Sequence, residues 1–180
     1  NDRRLILARE PYLYSLDPES GAPISDFGNS GRVLLSPEGS ERFRWSFSPI
    51  VVGDVIVVAG IIGSAGDSGD IKEALPENVR GYDVRTGQHL WTFQVVPRPG
   101  ELGNDTWEDE SWKWAGDLGS WCCMSADEGT GIVYLPLSAP TAAYYGGHRP
   151  GANLFSNSLV ALDSRNGELV WHFQMVHHDL

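Results

Sequence analysis

The strongest constraint on the fold is a short motif that occurs three times along the chain. Each copy has a strand-like run, an Asp, two further residues, a Ser, Thr or Asn, and then Gly; the copies begin at Asp17, Asp83 and Asp163. The Asp carboxylate can accept N–H bonds inside such a turn, and the Gly takes the left-handed conformation that closes it. Repeats of this kind predict one antiparallel sheet per copy, packed side by side as in a β-propeller.

A Trp follows the motif in two of the three copies. Trp91 and Trp171 each lie four residues after the motif Gly, whereas the first copy has Ser25 at that position and is a weakened copy. Since a large aromatic side chain at a fixed place in a repeat is well suited to packing between neighbouring sheets, we expect Trp91 and Trp171 to be buried between blades.

Further hairpins separate the copies. Gly53 and Asp54 lie between two apolar runs, which is a strong hairpin signal, and residues 121–135 form a second hairpin around a Gly-rich turn. Helical periodicity is absent. The sequence therefore predicts an all-β partial propeller with a blade end at 1–40 and blades at 41–95 and 111–176. Two long insertions, at 63–78 and 97–119, are expected on one rim, where function tends to lie.

Charge and hydropathy exclude several classes of partner. The net charge of −11 argues against a nucleic-acid or anionic-membrane partner. No run approaches the roughly 18–20 apolar residues of a membrane span. The chain opens without Met and stops without a polar tail, so we expect a piece of a longer protein, in which a missing signal peptide says nothing about compartment.

Several strings, in order along nearly the whole chain, resemble the glucose-dehydrogenase-like branch of the eight-bladed quinoprotein dehydrogenases. They are VRGYDV at 79–84, Trp121 with MSADE at 124–128, VYLP at 133–136, GGHRPG at 146–151, and VWHFQ at 170–174 leading to VHHDL at 176–180. The resemblance implies oxidation of a sugar or alcohol with pyrroloquinoline quinone (PQQ) as redox cofactor. It also implies ubiquinone or a cytochrome as electron acceptor, a periplasmic location, and activity in the longer parent rather than in these residues alone.

Two residues match cofactor contacts of that family. Trp121 matches the Trp that forms the floor of the quinone cavity, where a flat ring gains dispersion and stacking on an indole face. Its alternative is a Trp that packs blades together. Ser46 matches a hydroxyl residue that hydrogen-bonds the quinone, and its alternative is an ordinary strand Ser.

The metal ligands depart from the family pattern. Ser64 and Ala139 stand where relatives have an acidic residue and an Asn that bind Ca²⁺. Ser is a poor substitute, because Ca²⁺ takes six to eight oxygens with carboxylate charge among them. Asp67 and Asp70 could compensate, or they could form a solvated acidic loop. The resemblance implies Ca²⁺, and these departures leave its ligands undetermined.

The general base of the family is an Asp that follows a Trp just after a string like the one at 177–180. That base would lie beyond Leu180, so no catalytic residue is assigned within the chain. His177 and His178 either lead into the active-site loop or are simply strand-end residues.

Adjacent cysteines, Cys122 and Cys123, lie at the start of the second hairpin. Neighbouring Cα atoms are about 3.8 Å apart, below the usual disulfide range of about 4.4–6.8 Å. A bridge would be strained, and two thiols on opposite faces of one strand are favoured.

A second function remains open, that of a non-catalytic propeller scaffold of the outer-membrane-assembly type. Ser64 and Ala139 favour it, because they remove expected metal ligands. Trp121 and the long rim insertions disfavour it, since a scaffold has less need of either.

Overall fold

The computed structural model describes residues 2–9, 11–35, 43–44, 48–59, 61–62, 72–120, 123–142 and 144–179. Within these ranges the regular structure is β-strand, apart from short 3-10 turns at Asn104–Thr106, Glu108–Lys113 and Gly146–His148. The prediction of an all-β chain is confirmed. None of the described segments is a helix long and apolar enough to cross a membrane.

Every named strand pairs antiparallel with its neighbours. A three-stranded sheet comes first, made of β1 (Leu5–Arg9), β2 (Tyr12–Leu16) and β3 (Arg32–Leu34). The short strands β4 (Phe43–Arg44) and β7 (Ile61–Ile62) pair with each other. One four-stranded sheet holds β5 (Ile50–Val52), β6 (Val55–Ala59), β8 (Val79–Asp83) and β9 (His89–Phe93). The other holds β10 (Ser125–Asp127), β11 (Ile132–Leu137), β12 (Ser158–Asp163) and β13 (Leu169–Gln174).

These four-stranded sheets are meanders that lie inside the predicted blades 41–95 and 111–176. Their main core is a single apolar cluster that includes Val57, Val79, Val133, Leu135 and Val160, all fully buried. The blade boundaries themselves stay a prediction.

The repeated Asp closes its turn as the sequence predicts. Asp83 Oδ1 accepts the backbone N–H groups of Arg85 and Thr86 at 3.0 and 2.7 Å. The Oδ1 atoms of Asp17 and Asp163 likewise accept backbone N–H groups from their own turns. At Asp163, hydrogen bonding from Arg165 lowers the carboxyl pKa to about 2. The motif glycines have φ of 71°, 73° and 74°, a conformation that favours Gly.

Trp91 joins the two four-stranded sheets. It is 7% exposed, and its indole Nε1 donates to the carbonyl of Ser164 at 2.9 Å. A Cβ at Gly81 or at Gly167 would overlap the indole ring, so both glycines are needed for the ring to fit. The prediction that Trp91 is buried between neighbouring sheets is confirmed.

The first repeat has its own docking aromatic, which the sequence analysis missed. Phe27 is fully buried and packs against Gly87, the motif glycine of the next repeat, much as Trp91 packs against Gly167. The Gly28 N–H also donates to the carbonyl of Thr86 at 2.8 Å. The aromatic therefore lies two residues after Ser25.

The expected burial of Trp171 is wrong for this chain. Trp171 is 41% exposed and contacts Tyr134, with ring centroids 5.9 Å apart. It lies on β13, and the described residues hold no further sheet packed beyond that strand.

Apolar side chains are exposed at both ends of the arc of sheets. They are Leu5, Leu7 and Leu34 on the first sheet, and Val170, Trp171 and Phe173 on the last. A propeller blade normally buries such faces against its neighbours. We therefore expect the isolated 180-residue chain to self-associate as its concentration rises, measured by size-exclusion chromatography with light scattering.

Replacing Val170 and Phe173 by Ser should shift that equilibrium toward monomer. The matched control is Leu102→Ser, which changes a residue that is 62% exposed but lies in the insertion rather than on an end sheet. A wild-type chain that stays monomeric at every concentration and melts cooperatively would contradict the expectation.

Candidate functional site

One edge of the two four-stranded sheets gathers the long loops. In the last sheet the register partners at this edge are Leu137, Ser158 and Gln174. Loop 138–157 and the stretch 175–179 therefore both begin at this edge. In the other sheet the register partners at the corresponding edge are Ala59, Val79 and Phe93. The two insertions connect to the strands at this edge. The strand ends therefore place both predicted insertions on the same rim as the start of β10.

The segment 116–120, which leads toward Trp121, is held between two of these loops. On one side Asp117 N–H donates to Leu75 O at 3.0 Å, and Glu77 N–H donates to Asp117 O at 2.9 Å. On the other side Thr141 N–H donates to Gly116 O at 3.2 Å, and Ser138 N–H donates to Gly119 O at 3.1 Å. The backbone bonds make a rigid platform of this segment, hereafter the 116–120 platform.

A buried carboxylate lies against the platform. Glu77 is 1% exposed, and a Cβ at Gly119 would overlap its Oε2, so a side chain at position 119 would require Glu77 to move. Ser120, the next residue, is 2% exposed. The chain thus reaches position 121 through a closely packed and polar segment.

Asp117 is a second acidic group in the platform. Burial raises the pKa of its carboxyl, and a 2.9 Å hydrogen bond from Thr141 Oγ1 partly opposes that shift. Asp117 and Leu118 have φ of 59° and 63°, which few residues other than Gly adopt. Leu118 is fully buried, so packing holds this unusual backbone in place.

The raised pKa of Asp117 gives a pH-dependent prediction. A carboxyl whose pKa is raised by folding contributes its full stability below the ordinary value of 3.8 and loses it as pH rises through the folded-state value. We expect Asp117→Asn to melt at a higher temperature than wild type at neutral pH and to lose that advantage in acid. The exposed Asp105→Asn is the control for removing one carboxylate from the surface. An Asp117→Asn advantage that persists in acid would contradict this assignment.

Loop 138–157 is anchored by a buried Arg. Arg149 is fully buried, and its Nη1 donates to Asn153 Oδ1 at 2.9 Å. Burial lowers the pKa of this guanidinium, and the Asp179 carboxylate opposes the shift. The indole of Trp107, itself 2% exposed, donates to the carbonyl of Leu154 and ties the loop to the 97–119 insertion.

The stretch after β13 lies against the same loop. His178 Nδ1 is 2.7 Å from Gly151 O, and since a carbonyl only accepts, Nδ1 carries the proton. Asp179 Oδ2 accepts from Asn157 Nδ2 at 3.1 Å. His177 is exposed. The histidines therefore lie at the loop-rich edge, and their active-site role stays a prediction.

Most of the predicted site residues lie outside the described residues. These are Ser46, Ser64, Asp67, Asp70, Trp121 and Cys122. Cys123 is described and is a free, exposed thiol.

Ala139 is the one predicted metal position that is described. It lies between Ser138 and Pro140, which pair with Gly119 and Asp117 of the platform. Its methyl group offers no oxygen to a cation. Across the described ranges no three His, Cys, Asp or Glu side chains come together as a metal site. Position 139 thus supplies no side-chain ligand to Ca²⁺.

Sequence reasoning missed Glu77 and Arg149. Arg149 is within a string that carried the family resemblance, yet nothing in the string indicates that its charge is buried. Glu77 is a single acidic residue just before β8, a pattern that is usually a solvated strand end.

The fold defines two blades of a β-propeller, with long loops gathered at one edge. Residues 1–180 match the family described as "Glucose/ethanol/alcohol dehydrogenase, beta-propeller domain", and the chain belongs to it. The predicted resemblance to PQQ-dependent quinoprotein dehydrogenases is confirmed.

Known relatives agree with this assignment. Quinoprotein glucose dehydrogenase of Gluconobacter oxydans is 30% identical over 185 residues, which cover 99% of this chain and 22% of the relative. Quinoprotein glucose dehydrogenase A of Acinetobacter calcoaceticus is 32% identical over 191 residues, covering 100% and 21%. The chain spans about a fifth of the length of these relatives.

A solved structure supports the fold. The quinohemoprotein alcohol dehydrogenase ADHIIG of Pseudomonas putida HK5 superposes with a TM-score of 0.78 at 22% identity. The match covers 98% of this chain and 26% of that one.

Proposed function

We propose that the chain is part of a quinoprotein dehydrogenase that oxidises a sugar or an alcohol with PQQ. The family match over all 180 residues carries this proposal. Relatives at about 30% identity are named as glucose and glycerol dehydrogenases, which places hydroxyl oxidation at the centre of the family's chemistry. When bound, PQQ supplies the two-electron oxidation of the C–OH group.

Within that function Trp121 is the floor of the quinone cavity. The 116–120 platform supports this role, because its backbone is bonded on both sides and Ser120 is buried immediately before Trp121. Ser46 donates a hydrogen bond to the rim of the same ligand.

Position 139 supplies no side-chain oxygen to a metal. Any Ca²⁺ would have to draw its carboxylates from elsewhere, and Asp67 and Asp70 are the proposed candidates.

The electron acceptor proposed for the complete protein is ubiquinone or a cytochrome. One relative is named methanol dehydrogenase [cytochrome c] subunit 1, which links the family to a cytochrome acceptor. A periplasmic location, with or without an inner-membrane anchor, is proposed along with it.

The test is a titration of the full-length apoprotein with PQQ, with and without Ca²⁺, followed by indole fluorescence. Saturable quenching and sugar or alcohol oxidation are expected. If neither metal condition gives saturable quenching, the dehydrogenase proposal falls and the scaffold function replaces it. Quenching without any metal requirement would indicate that Ser64 and Ala139 mark a lost Ca²⁺ site.

A further inference from the structure

The stretch 72–78 runs alongside the 116–120 platform and the residues just before it. Ala74 N–H donates to Trp114 O at 3.0 Å, one step ahead of the backbone bonds that the platform itself receives from this stretch. The two backbones also touch, because a Cβ at Gly116 would overlap Ala74 O. The stretch 72–78 therefore supports the platform along its length.

Glu77 places a carboxylate inside this contact. Its side chain is 1% exposed, and its Oε2 takes up the space that a Cβ at Gly119 would need. Its backbone N–H donates to Asp117 O at 2.9 Å, so side chain and main chain of the same residue meet the platform at two places. Any shift of the backbone at position 119 toward the stretch 72–78 would thus run into the Glu77 carboxylate.

A carboxylate at this place is tightly constrained. Removing a carboxylate from water is costly unless nearby groups satisfy it, so a buried one tolerates few positions. By contrast, Glu73 of the same stretch is exposed to solvent. Because the constrained oxygen of Glu77 lies against Gly119, fixing the carboxylate also fixes the backbone two residues before Trp121.

We propose that Glu77 is a positioning residue for the cofactor: it holds Gly119 and Ser120 in place and thereby sets where the Trp121 indole meets PQQ. Binding groups must be held within about 0.5 Å of their productive geometry, so a small shift of the platform is enough to weaken stacking. Glu77 itself touches no cofactor. This inference rests on the proposed function, since Glu77 acts through the indole that the function assigns to PQQ.

The first test needs no cofactor. Hydrogen exchange of the full-length apoprotein, followed by mass spectrometry, should be faster at positions 116–120 in Glu77→Ala than in wild type. Glu77→Gln keeps the size of the side chain and should exchange close to the wild-type rate. Glu73→Ala is the matched control, because it removes an exposed Glu from the same stretch, and it should leave exchange at 116–120 unchanged. Wild-type exchange in Glu77→Ala would overturn the proposal.

The second test measures PQQ affinity together with the circular dichroism that the bound quinone acquires from its site, which reports its orientation. Glu77→Ala should weaken PQQ binding roughly tenfold and alter that signal, as when a residue that orients a binding group is removed. Glu73→Ala should match wild type in both. A Glu77→Ala protein that exchanges faster at 116–120 yet binds PQQ with wild-type affinity and signal would limit Glu77 to a structural role and overturn the proposal.

An exchange of size between two positions tests the contact itself. Gly119→Ala puts a methyl group where Glu77 Oε2 lies and should weaken PQQ binding on its own. Adding Glu77→Ala makes room for that methyl group, so the double variant should bind PQQ more tightly than Gly119→Ala alone. Losses that simply add would show that the two positions act independently, against the proposal.

The outcomes separate this inference from the proposed function. If wild type shows no saturable PQQ binding, the proposed function falls and the positioning role falls with it. If wild type binds PQQ and Glu77→Ala binds it equally well, only the positioning role is overturned. Melting temperatures check that each variant is folded. If Glu77→Ala does not fold, Glu77→Asp, which withdraws the carboxylate from Gly119 by one methylene, is measured in its place with the same expectations.

Discussion

Replacing Trp121 by Ala is expected to weaken PQQ binding to the full-length apoprotein by roughly 30-fold to 1,000-fold, the effect of removing a binding hot spot of about 2–4 kcal/mol. The reason is that a flat ligand stacked on an indole loses its whole contact face when the ring is removed. The measurement is the PQQ titration, followed by ligand absorbance so that the readout does not depend on the Trp that was removed.

Two further variants are expected to lose less PQQ affinity than Trp121→Ala. Trp121→Phe keeps a smaller aromatic face and should bind PQQ with intermediate affinity. Ser46→Ala removes one neutral hydrogen bond and should cost only about 0.5–1.5 kcal/mol. If Trp121→Ala binds PQQ as well as wild type while its melting temperature drops, Trp121 is a blade-docking residue instead, which is the alternative that the sequence left open.

The repeat could be predicted in detail because its structure is local. Asp83 bonds N–H groups two and three residues ahead, and Gly87 supplies the positive φ, so both roles are determined by a few neighbouring residues. The same holds for the Gly53–Asp54 hairpin between β5 and β6. The strands and their order could therefore be predicted from local turn chemistry.

The docking aromatic of the first repeat could not be predicted in this way. Counting four residues past Gly21 leads to Ser25, whereas the buried ring belongs to Phe27. What places Phe27 is its contact with Gly87, which lies far along the chain. A contact between distant residues leaves no periodic signal in a single sequence.

The candidate site also depends on contacts between distant residues, which could not be predicted from the sequence. Arg149 and Glu77 are charged residues that a sequence places at the surface, yet both are buried by loops that meet only in the folded chain. Asp117 and Leu118 adopt positive φ without being Gly. Asp117 is bonded to the backbone at positions 75 and 77, and the flanking glycines accept N–H groups from positions 138 and 141. The rim was predictable from the insertions, but its geometry was not.

The second large effect is expected at Trp91, in stability rather than in cofactor binding. Trp91→Ala should lower the free energy of unfolding of the full-length protein by about 3–5 kcal/mol, the usual cost of truncating a large core aromatic. Three contacts are lost together: the indole surface against Gly81, its packing on Gly167, and the 2.9 Å hydrogen bond to Ser164 O. The measurement is chemical denaturation monitored by circular dichroism.

The matched control for Trp91 is Leu90→Ala, since Leu90 precedes it on β9 and is 43% exposed, so its loss should cost far less. PQQ affinity per folded molecule should be unchanged in Trp91→Ala, because the ring packs between sheets through Gly81 and Gly167. A Trp91→Ala protein that denatures at the wild-type midpoint would show that the sheets are held together without this ring. Replacing a Trp that stacks on the cofactor should thus lower PQQ affinity, whereas replacing a Trp that packs between blades should lower the free energy of unfolding. Comparing Trp121 with Trp91 therefore separates the two roles within one fold.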